Sequence, residues 1–296
     1  MPEVSVIIPV RNRPQLVQDA FKSVISQDYS DLEVLVVDDC SGVEMGQVKQ
    51  VVDEGGGRYH RLESHSGVSE ARNIGVSLSD SRWVAFLDSD DFWYPTKLER
   101  QIEFHRLKPD LKISQTREKW IRNGEFVNSA KKHQPPTENE NVLEVFERLL
   151  ELCLVSPSSV MLERELFESL GGFKPEMRVC EDYDLWLRAS CVEKIGLLDE
   201  VLIEKHGGHA DQLSRSEVAM DRFRVYAIFK LLEQGVDPAR TEICLKHLLL
   251  KSQVLLQGAK KRDRSRLVDL YSSFVQFGKG DLGLSEIAPR AKELIL

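Results

Sequence analysis

The sequence predicts an α/β fold in which helices flank a mainly parallel sheet. Strand-like and helix-like segments alternate over the first hundred of its 296 residues, as they do where helices connect parallel strands. Two of the predicted strands run directly into acidic residues, Asp38-Asp39 and Asp88-Ser89-Asp90. Ligands of such sheets bind beyond the carboxyl ends of the strands. We therefore expect the two acidic groups to share one crevice.

The N-terminal elements follow in order from their apolar patterns. Short apolar runs predict strands at Val4–Ile8, Leu32–Val37 and Arg82–Leu87. Apolar residues at helical spacing predict helices at Pro14–Gln27 and Ser69–Leu78. These five elements supply the alternation on which the predicted fold class depends.

The middle of the chain departs from this alternation. Asn123-Gly124, between apolar residues, is typical of a two-residue hairpin turn. Helices are predicted at Asn141–Leu154 and at Glu163–Leu170, the second ended by Gly171-Gly172. This part of the chain is expected to add a hairpin and two helices to the alternating core.

The C-terminal part is almost wholly helical in pattern from about Arg215 onward. This change predicts two units, a first domain over 1–214 and a helical subdomain over 215–296. Most apolar residues of the subdomain are expected to be core, and a homodimer interface is the alternative. Its last helices also carry a basic group that could make a peripheral contact with a membrane of anionic lipid: Lys260, Lys261, Arg262, Arg264 and Arg266.

Composition narrows the class of partner and the cell compartment. The net charge of −8 and the pI near 5.5 argue against nucleic acid as the main partner, because no basic stripe can track phosphates. Five cysteines without Cys-x-x-Cys spacing predict reduced thiols rather than disulfides or a zinc site. No basic leader and no spanning run of roughly 18 apolar residues is recognisable. We expect a cytoplasmic protein, or one attached at the inner face of a membrane.

The Asp-x-Asp pair of Asp88 and Asp90 follows a strand that reads as buried. Carboxylates at a strand end can hold Mg²⁺ or Mn²⁺ and leave the other coordination positions to phosphate oxygens. The alternative is an ordinary turn, in which Asp and Ser are common for conformational reasons. Further polar groups elsewhere in the chain favour the metal site.

Two of these further groups suit a nucleotide. Asp38 and Asp39 could accept hydrogen bonds from a uracil-type base and from ribose hydroxyls, and a solvated pair opening a turn is the alternative. Gly67 and Ser69 suit a tight turn and a helix start, where anions bind. Arg72 in the first turn is disfavoured by the helix dipole. An anionic or aromatic neighbour is therefore expected, and a surface arginine paired with a nearby acid is the alternative.

Two later groups suit catalysis and metal binding. Glu181 and Asp182 begin a predicted helix, where a carboxylate held at a cleft edge could act as a general base. The helix dipole alone also favours acids at that position. His206 and His209 lie on either side of a Gly-Gly pair, which suggests a loop that closes over a ligand and completes a metal shell. Two surface histidines are the alternative.

Together these residues resemble a family 2 glycosyltransferase of the GT-A fold. The resemblance covers about 210 residues, and the C-terminal helices lie outside it. It begins at the first strand and continues through both acidic groups and the segment that contains Arg72. It ends with Gly171-Gly172-Phe173 and with Glu181–Arg188. The family implies a mixed, mainly parallel sheet flanked by helices.

The resemblance also implies roles for individual residues. Asp182 would be the catalytic base, with Glu181 as the second choice. Mn²⁺ or Mg²⁺ would be bound by Asp88 and Asp90, completed by either His206 or His209. The nucleotide would be bound by seven residues, with Asp38 and Asp39 at the base: Pro9, Arg11, Asp38, Asp39, Arg72, Asp88 and Ser89.

The implied activity is metal-dependent, inverting transfer of a sugar from a nucleotide sugar, with a UDP-sugar favoured, to a hydroxyl of a glycan or lipid-linked acceptor. The family suggests a role in cell-surface polysaccharide or lipopolysaccharide synthesis. A catalytically weak scaffold that binds nucleotide sugars is the alternative. A dehalogenase-like phosphatase fits less well because two strands precede the Asp-x-Asp pair. A nucleotidyltransferase fits less well because no Gly-rich loop follows the first strand.

Overall fold

The computed structural model describes residues 1–127, 134–137, 139–208 and 217–296. Its strands form one sheet, and their bounds are β1 (Val4–Val10), β2 (Leu32–Asp38), β3 (Arg58–Arg61), β4 (Trp83–Phe86), β5 (Phe92–Trp93), β6 (Ile113–Arg122), β7 (Glu125–Val127), β8 (Met161–Glu163) and β9 (Gly196–Gly207).

The α-helices of the described residues flank this sheet and extend beyond it toward the C-terminus. The described residues also contain two short 3₁₀ helices, Pro157–Ser159 and Ala288–Leu294. The α-helices are α1 (Pro14–Ile25), α2 (Gly46–Glu54), α3 (Val68–Ser77), α4 (Lys97–Leu107), α5 (Val142–Glu151), α6 (Arg164–Ser169), α7 (Glu181–Val192), α8 (Asp221–Gln234), α9 (Pro238–Lys261), α10 (Ser265–Lys279) and α11 (Leu284–Ile287).

The strand order is β3-β2-β1-β4-β8-β6-β9-β5, with β7 added to β6. The first four strands are parallel, whereas β8 is antiparallel to both its neighbours and β5 is antiparallel to β9. The parallel register pairs Val10 of β1 with Asp38 of β2, and Ile7 with Phe86 of β4. The predicted α/β class with a mixed, mainly parallel sheet is confirmed, and the two acidic groups leave the sheet at the same edge.

The two faces of the parallel strands are covered by different helices. Alternate residues of β1, such as Val6 and Ile8, are buried with Phe21 of α1, while Ile7 is buried with Ala71 of α3. This two-residue alternation is expected of a strand covered on both faces. The sheet is therefore a rigid platform under the loops at its carboxyl edge.

The C-terminal helices share the core of the face that α3 and α7 cover. Phe223 and Phe229 of α8 belong to the same buried cluster as Tyr183 and Trp186 of α7. The boundary predicted at 214/215 lies outside the described residues, and the division into two units stays a prediction. Within the described ranges, no helix combines the length and the apolar character that crossing a bilayer requires.

Candidate active site

Asp39 anchors the loop that leads into α3. Its carboxylate accepts hydrogen bonds from the backbone N–H groups of Ser66 (2.7 Å) and Gly67 (2.9 Å), and lies 2.7 Å from Nδ1 of His65. Gly67 has φ = 91°, a conformation that side chains other than glycine rarely adopt. The sequence motif around Gly67 is thus explained by a turn that Asp39 closes at the edge of the cleft.

Asp38 lies deeper and is fully buried. Its carboxylate accepts from the backbone of Ser41 (2.9 Å), the hydroxyl of Tyr59 (2.6 Å) and the guanidinium of Arg61 (2.7 Å). These three donors fix the end of β2 against β3. These three partners all stabilise the fold, and the predicted contact between Asp38 and a nucleotide base stays a prediction.

The loop after β1 joins the loop after β2 through Asn12. Its backbone N–H donates to Oγ of Ser41 (2.8 Å), and its side-chain Oδ1 accepts from the backbone of Gly42 (2.7 Å). Pro9 is buried within β1, whereas Arg11 is exposed just after it. These two predicted nucleotide-binding residues therefore differ in access, and of the two only Arg11 presents its side chain to solvent.

Arg72 connects the Asp-x-Asp pair to the acidic start of α7. Its guanidinium donates to Oδ1 of Asp88 (2.7 Å) and to Oε1 of Glu181 (2.8 Å), and lies 4.9 Å from the centre of the Phe173 ring. Arg72 is itself buried. Although burial alone would lower its pKa, Asp88 and Glu181 raise it. The anionic and aromatic neighbours that the sequence predicts for Arg72 are Asp88, Glu181 and Phe173.

The carboxylates after β4 differ in exposure. Asp88 keeps 29% of its side chain exposed, and Asp90 pairs with Nη1 of Arg13 at 3.0 Å. Asp91 is buried and accepts from Oγ of Ser158 (2.6 Å) and from the backbone N–H of His206 (2.9 Å). Burial raises the pKa of Asp91 well above its usual range. Asp91 thus ties the acidic group to β9, while Ser89 is buried beside it.

Glu181 and Asp182 begin α7 but have different surroundings. Glu181 is buried against Arg72, and burial together with the charge of Asp182 raises its pKa to about 7. Asp182 is partly exposed; its Oδ1 accepts from the backbone of Tyr183 (2.7 Å) and its Oδ2 from the thiol of Cys153 (3.3 Å). Asp182 therefore has the freer carboxylate of the two.

Lys205 and His206, at the end of β9, lie beside this acidic group. His206 is 38% exposed and its Nε2 is 3.5 Å from Glu204. Burial alone would lower the pKa of Lys205, but the negative charges of nearby carboxylates raise it, with the largest effects from Glu118 and Asp91. Lys205 therefore brings a positive charge to the cleft. The other predicted metal ligand, His209, lies outside the described residues.

Asp88 and Asp90 fit a divalent metal by donor type and by access. In the described part of the chain, no group of three or more His, Cys, Asp or Glu side chains is placed to hold an ion. Mg²⁺ is usually held by one or two carboxylates together with substrate phosphates, so a cage made entirely of protein is not required. The two carboxylates suit an ion that is shared with a diphosphate.

Several residues that build this site were not predicted from the sequence. Asn73 exchanges two hydrogen bonds with the backbone of Phe173, at 2.8 and 3.0 Å, and so fixes α3 against the loop before α7. Ser158 contacts both Asp88 and Asp91, and Cys153 contacts Asp182. These side chains come from distant parts of the chain. Of these residues, only Asn73 lies within one of the predicted motifs, the segment that contains Arg72.

The sheet order and the acidic cleft at its carboxyl edge define a glycosyltransferase of the GT-A class. Residues 5–171 match the family model described as Glycosyl transferase family 2. The chain therefore belongs to glycosyl transferase family 2, as the sequence motifs predict.

Curated relatives cover different parts of the chain. The Escherichia coli protein WfgD, named UDP-Glc:alpha-D-GlcNAc-diphosphoundecaprenol beta-1,3-glucosyltransferase, is 30% identical over 224 residues, which is 75% of this chain and 81% of WfgD. The E. coli protein WfaP has the same descriptive name and is 27% identical over 184 residues, 62% of this chain and 68% of WfaP. An uncharacterized glycosyltransferase of Rickettsia felis is 28% identical over 200 residues, which is 68% of this chain. The chain spans only about a third, 32%, of the length of that relative.

Solved structures support the fold assignment. TarS 1–349 of S. aureus, in complex with UDP-GlcNAc, aligns with a TM-score of 0.65 and 18% identity, covering 94% of this chain and 92% of that chain. The mannosyltransferase PcManGT from Pyrobaculum calidifontis, in complex with GDP-Man and Mn²⁺, aligns with a TM-score of 0.61 and 16% identity, covering 98% and 86%. At these identities the likeness establishes the fold alone.

Proposed function

We propose that this protein transfers a sugar from a nucleotide-sugar donor to an acceptor hydroxyl, with inversion at the anomeric carbon. The observation that carries the proposal is the pair of hydrogen bonds from Arg72 to Asp88 and Glu181. They bring the carboxylates suited to a metal and a diphosphate next to the carboxylates suited to a general base. The two sites must be neighbours, because the diphosphate leaves the same anomeric carbon that the acceptor oxygen attacks.

We propose UDP-glucose as the first donor to test and a lipid-linked diphosphate sugar as the acceptor. The support is the names of WfgD and WfaP, which give a UDP-Glc donor and a GlcNAc-diphosphoundecaprenol acceptor for those proteins. A reaction of this type belongs to cell-surface polysaccharide synthesis. Five cysteines, all free, agree with action in the reducing cytoplasm, at the inner face of the membrane.

Asp182 is the proposed general base. The base must reach the acceptor hydroxyl, and Asp182 is partly exposed, whereas Glu181 is buried and engaged by Arg72. Asp182 would take the proton as the acceptor oxygen attacks the anomeric carbon from the face opposite the diphosphate. A positioned base typically contributes roughly 10²–10⁴ in rate.

The leaving diphosphate gains negative charge as the glycosidic bond breaks. Arg72 and Lys205 are two cations of the cleft that would stabilise that charge, and water exclusion would strengthen their effect. A bound Mn²⁺ or Mg²⁺, held by Asp88 and Asp90 and completed by His206 or His209, would supply Lewis-acid stabilisation of the same charge. Arg11 and Asp39 are the proposed contacts for the nucleoside.

The proposal is tested by nucleotide release from UDP-, GDP-, dTDP- and CDP-sugars, with Mn²⁺, Mg²⁺ or EDTA, in the wild type and Asp90→Ala. Hydrolysis of one donor that requires metal and is lost in the variant is the expected result. Absence of both turnover and nucleotide binding by calorimetry would contradict it. Binding of a donor without transfer to any lipid-linked acceptor would favour the scaffold alternative.

A further inference from the structure

The turn between α9 and α10 carries an unusual concentration of positive charge. Five cations occur within seven residues, and every one is exposed. The chain as a whole has a net charge of −8, so this segment contrasts with the rest of the surface. The segment, called here the basic turn, comprises Lys260, Lys261, Arg262, Arg264 and Arg266, with one acid, Asp263, among them.

Most of this charge is not neutralised by neighbouring carboxylates. Arg266 lies 3.7 Å from Glu293, and Nη1 of Arg262 donates to the backbone of Gly258 at 3.1 Å. In the parts of the chain that the structure describes, no carboxylate lies within ion-pair distance of the other three cations. The basic turn therefore presents a net positive surface that an anionic partner could neutralise.

Two exposed apolar side chains extend this surface along α9. Leu250 and Val254 are 49% and 61% exposed. They lie one turn apart on the helix, and Lys261 lies two turns beyond Val254 on the same face. A helix face that joins exposed apolar residues to a cluster of cations is typical of helices that lie on anionic membranes.

We propose that the basic turn, together with Leu250 and Val254, docks this protein on a bilayer that contains anionic lipid. The cations would neutralise lipid headgroups, and the two apolar side chains would enter the interfacial region. Docking of this kind does not require catalysis. If the proposed function also holds, docking brings the active site to the surface in which a lipid-linked acceptor is embedded.

The test is flotation of the full chain with vesicles of phosphatidylglycerol and phosphatidylcholine, and with vesicles of phosphatidylcholine alone. We expect binding to the anionic vesicles only, and loss of binding in 0.5 M NaCl, because salt screens exposed charges. A triple variant, Lys260→Glu, Lys261→Glu and Arg264→Glu, should lower the partition coefficient by more than roughly tenfold. Leu250→Ser with Val254→Ser should lower it at unchanged net charge.

A matched control changes net charge by the same amount elsewhere, at Lys22→Glu, Lys49→Glu and Lys194→Glu, three exposed lysines. Its partition coefficient should stay close to that of the wild type. Absence of wild-type binding to anionic vesicles would overturn the proposal, and so would an equal loss in the control. Donor hydrolysis in solution should be unchanged in both triple variants. Vesicle binding in a protein that neither hydrolyses nor binds any donor would leave docking supported and contradict only the proposed function.

Discussion

The thiol of Cys153 donates to Oδ2 of Asp182 across 3.3 Å and shares its proton with the backbone O of Val155 at 3.4 Å, while the backbone of Tyr183 donates to Oδ1 of Asp182. Burial, and then the charge of Asp182, raise the pKa of the Cys153 thiol well above its usual range. Cys153 therefore remains a protonated donor at neutral pH. The proposed base is held at both oxygens, which fixes the direction from which it meets an acceptor.

We predict that Cys153→Ala lowers kcat for transfer by roughly ten- to a hundredfold, because a hydrogen bond to a charged group is worth about 1.5–3 kcal/mol. KM for the donor should not change, and Cys153→Ser should recover most of kcat because it restores a donor. Steady-state kinetics of transfer measure both quantities. Cys191→Ala, another partly buried cysteine of the chain, is the control. Full kcat in Cys153→Ala would contradict the positioning role.

Arg72 should also be a major contributor to stability. Its removal leaves Asp88 and Glu181 without their shared partner inside the protein, and breaking a buried ion pair typically costs about 3–5 kcal/mol. We predict a loss of this size in the free energy of unfolding of Arg72→Met, measured by urea denaturation. Arg82→Met breaks a pair with Glu163 in which Arg82 is 63% exposed. That control should cost less than about 1 kcal/mol, and equal losses would refute the prediction.

Gly171 and Gly172 offer a matched pair of substitutions before α7. Both have positive φ, at 72° and 62°, so alanine is strained at either position. Only at Gly172 would a Cβ lie 2.7 Å from Oδ1 of Asn73, the group that holds Phe173. Gly172→Ala should therefore lower the free energy of unfolding by roughly 1–3 kcal/mol more than Gly171→Ala. Equal melting temperatures of the two variants would contradict this prediction, because they would show that Asn73 moves away from the added Cβ without loss of stability.

His105 gives the protein a pH-dependent stability. It is buried on α4, with Nε2 2.8 Å from Oγ of Ser114, and burial lowers its pKa from 6.5 to about 4. Below pH 6.5 the unfolded chain binds a proton that the folded protein does not. The contribution of His105 is thus complete above this pH and is lost as the pH falls toward 4.

We predict that the free energy of unfolding falls by roughly 2 kcal/mol between pH 7 and pH 5 on account of His105. Urea denaturation at both pH values, in the wild type and in His105→Gln, isolates this contribution as the difference between the two slopes. His60→Gln removes an exposed histidine and should keep the wild-type slope. The same slope in His105→Gln would mean that other groups cause the pH dependence.

The sequence was sufficient where local pattern decides structure. The alternation of strands and helices predicted the parallel strands, and Asn123-Gly124 predicted the β6–β7 hairpin, whose turn residues have φ of 53° and 81°. Asp88 and Asp90 were placed correctly at the end of β4 because a buried apolar run points directly at them. These features depend on residues that are close along the chain.

The rest of the site depends on contacts between distant segments. Asp38 and Asp39 are adjacent, yet Tyr59 and Arg61 of β3 bury the first while the loop before α3 closes on the second. No local pattern distinguishes them. The long strand β9 was not predicted; its pairing with β6 shifts register near Arg117, which interrupts any simple alternation. The charge that Lys205 brings to the cleft was therefore not foreseen.

The most direct test of the proposed mechanism is the rate of sugar transfer by Asp182→Asn, compared with the wild type, on the donor that the nucleotide panel identifies. Asparagine keeps the size and the hydrogen-bonding shape of the side chain but cannot accept the acceptor's proton. We predict a fall in kcat of roughly 10²–10⁴, with donor binding retained by calorimetry. Near-normal turnover in Asp182→Asn would contradict the assignment of the base, and with it the proposed mechanism.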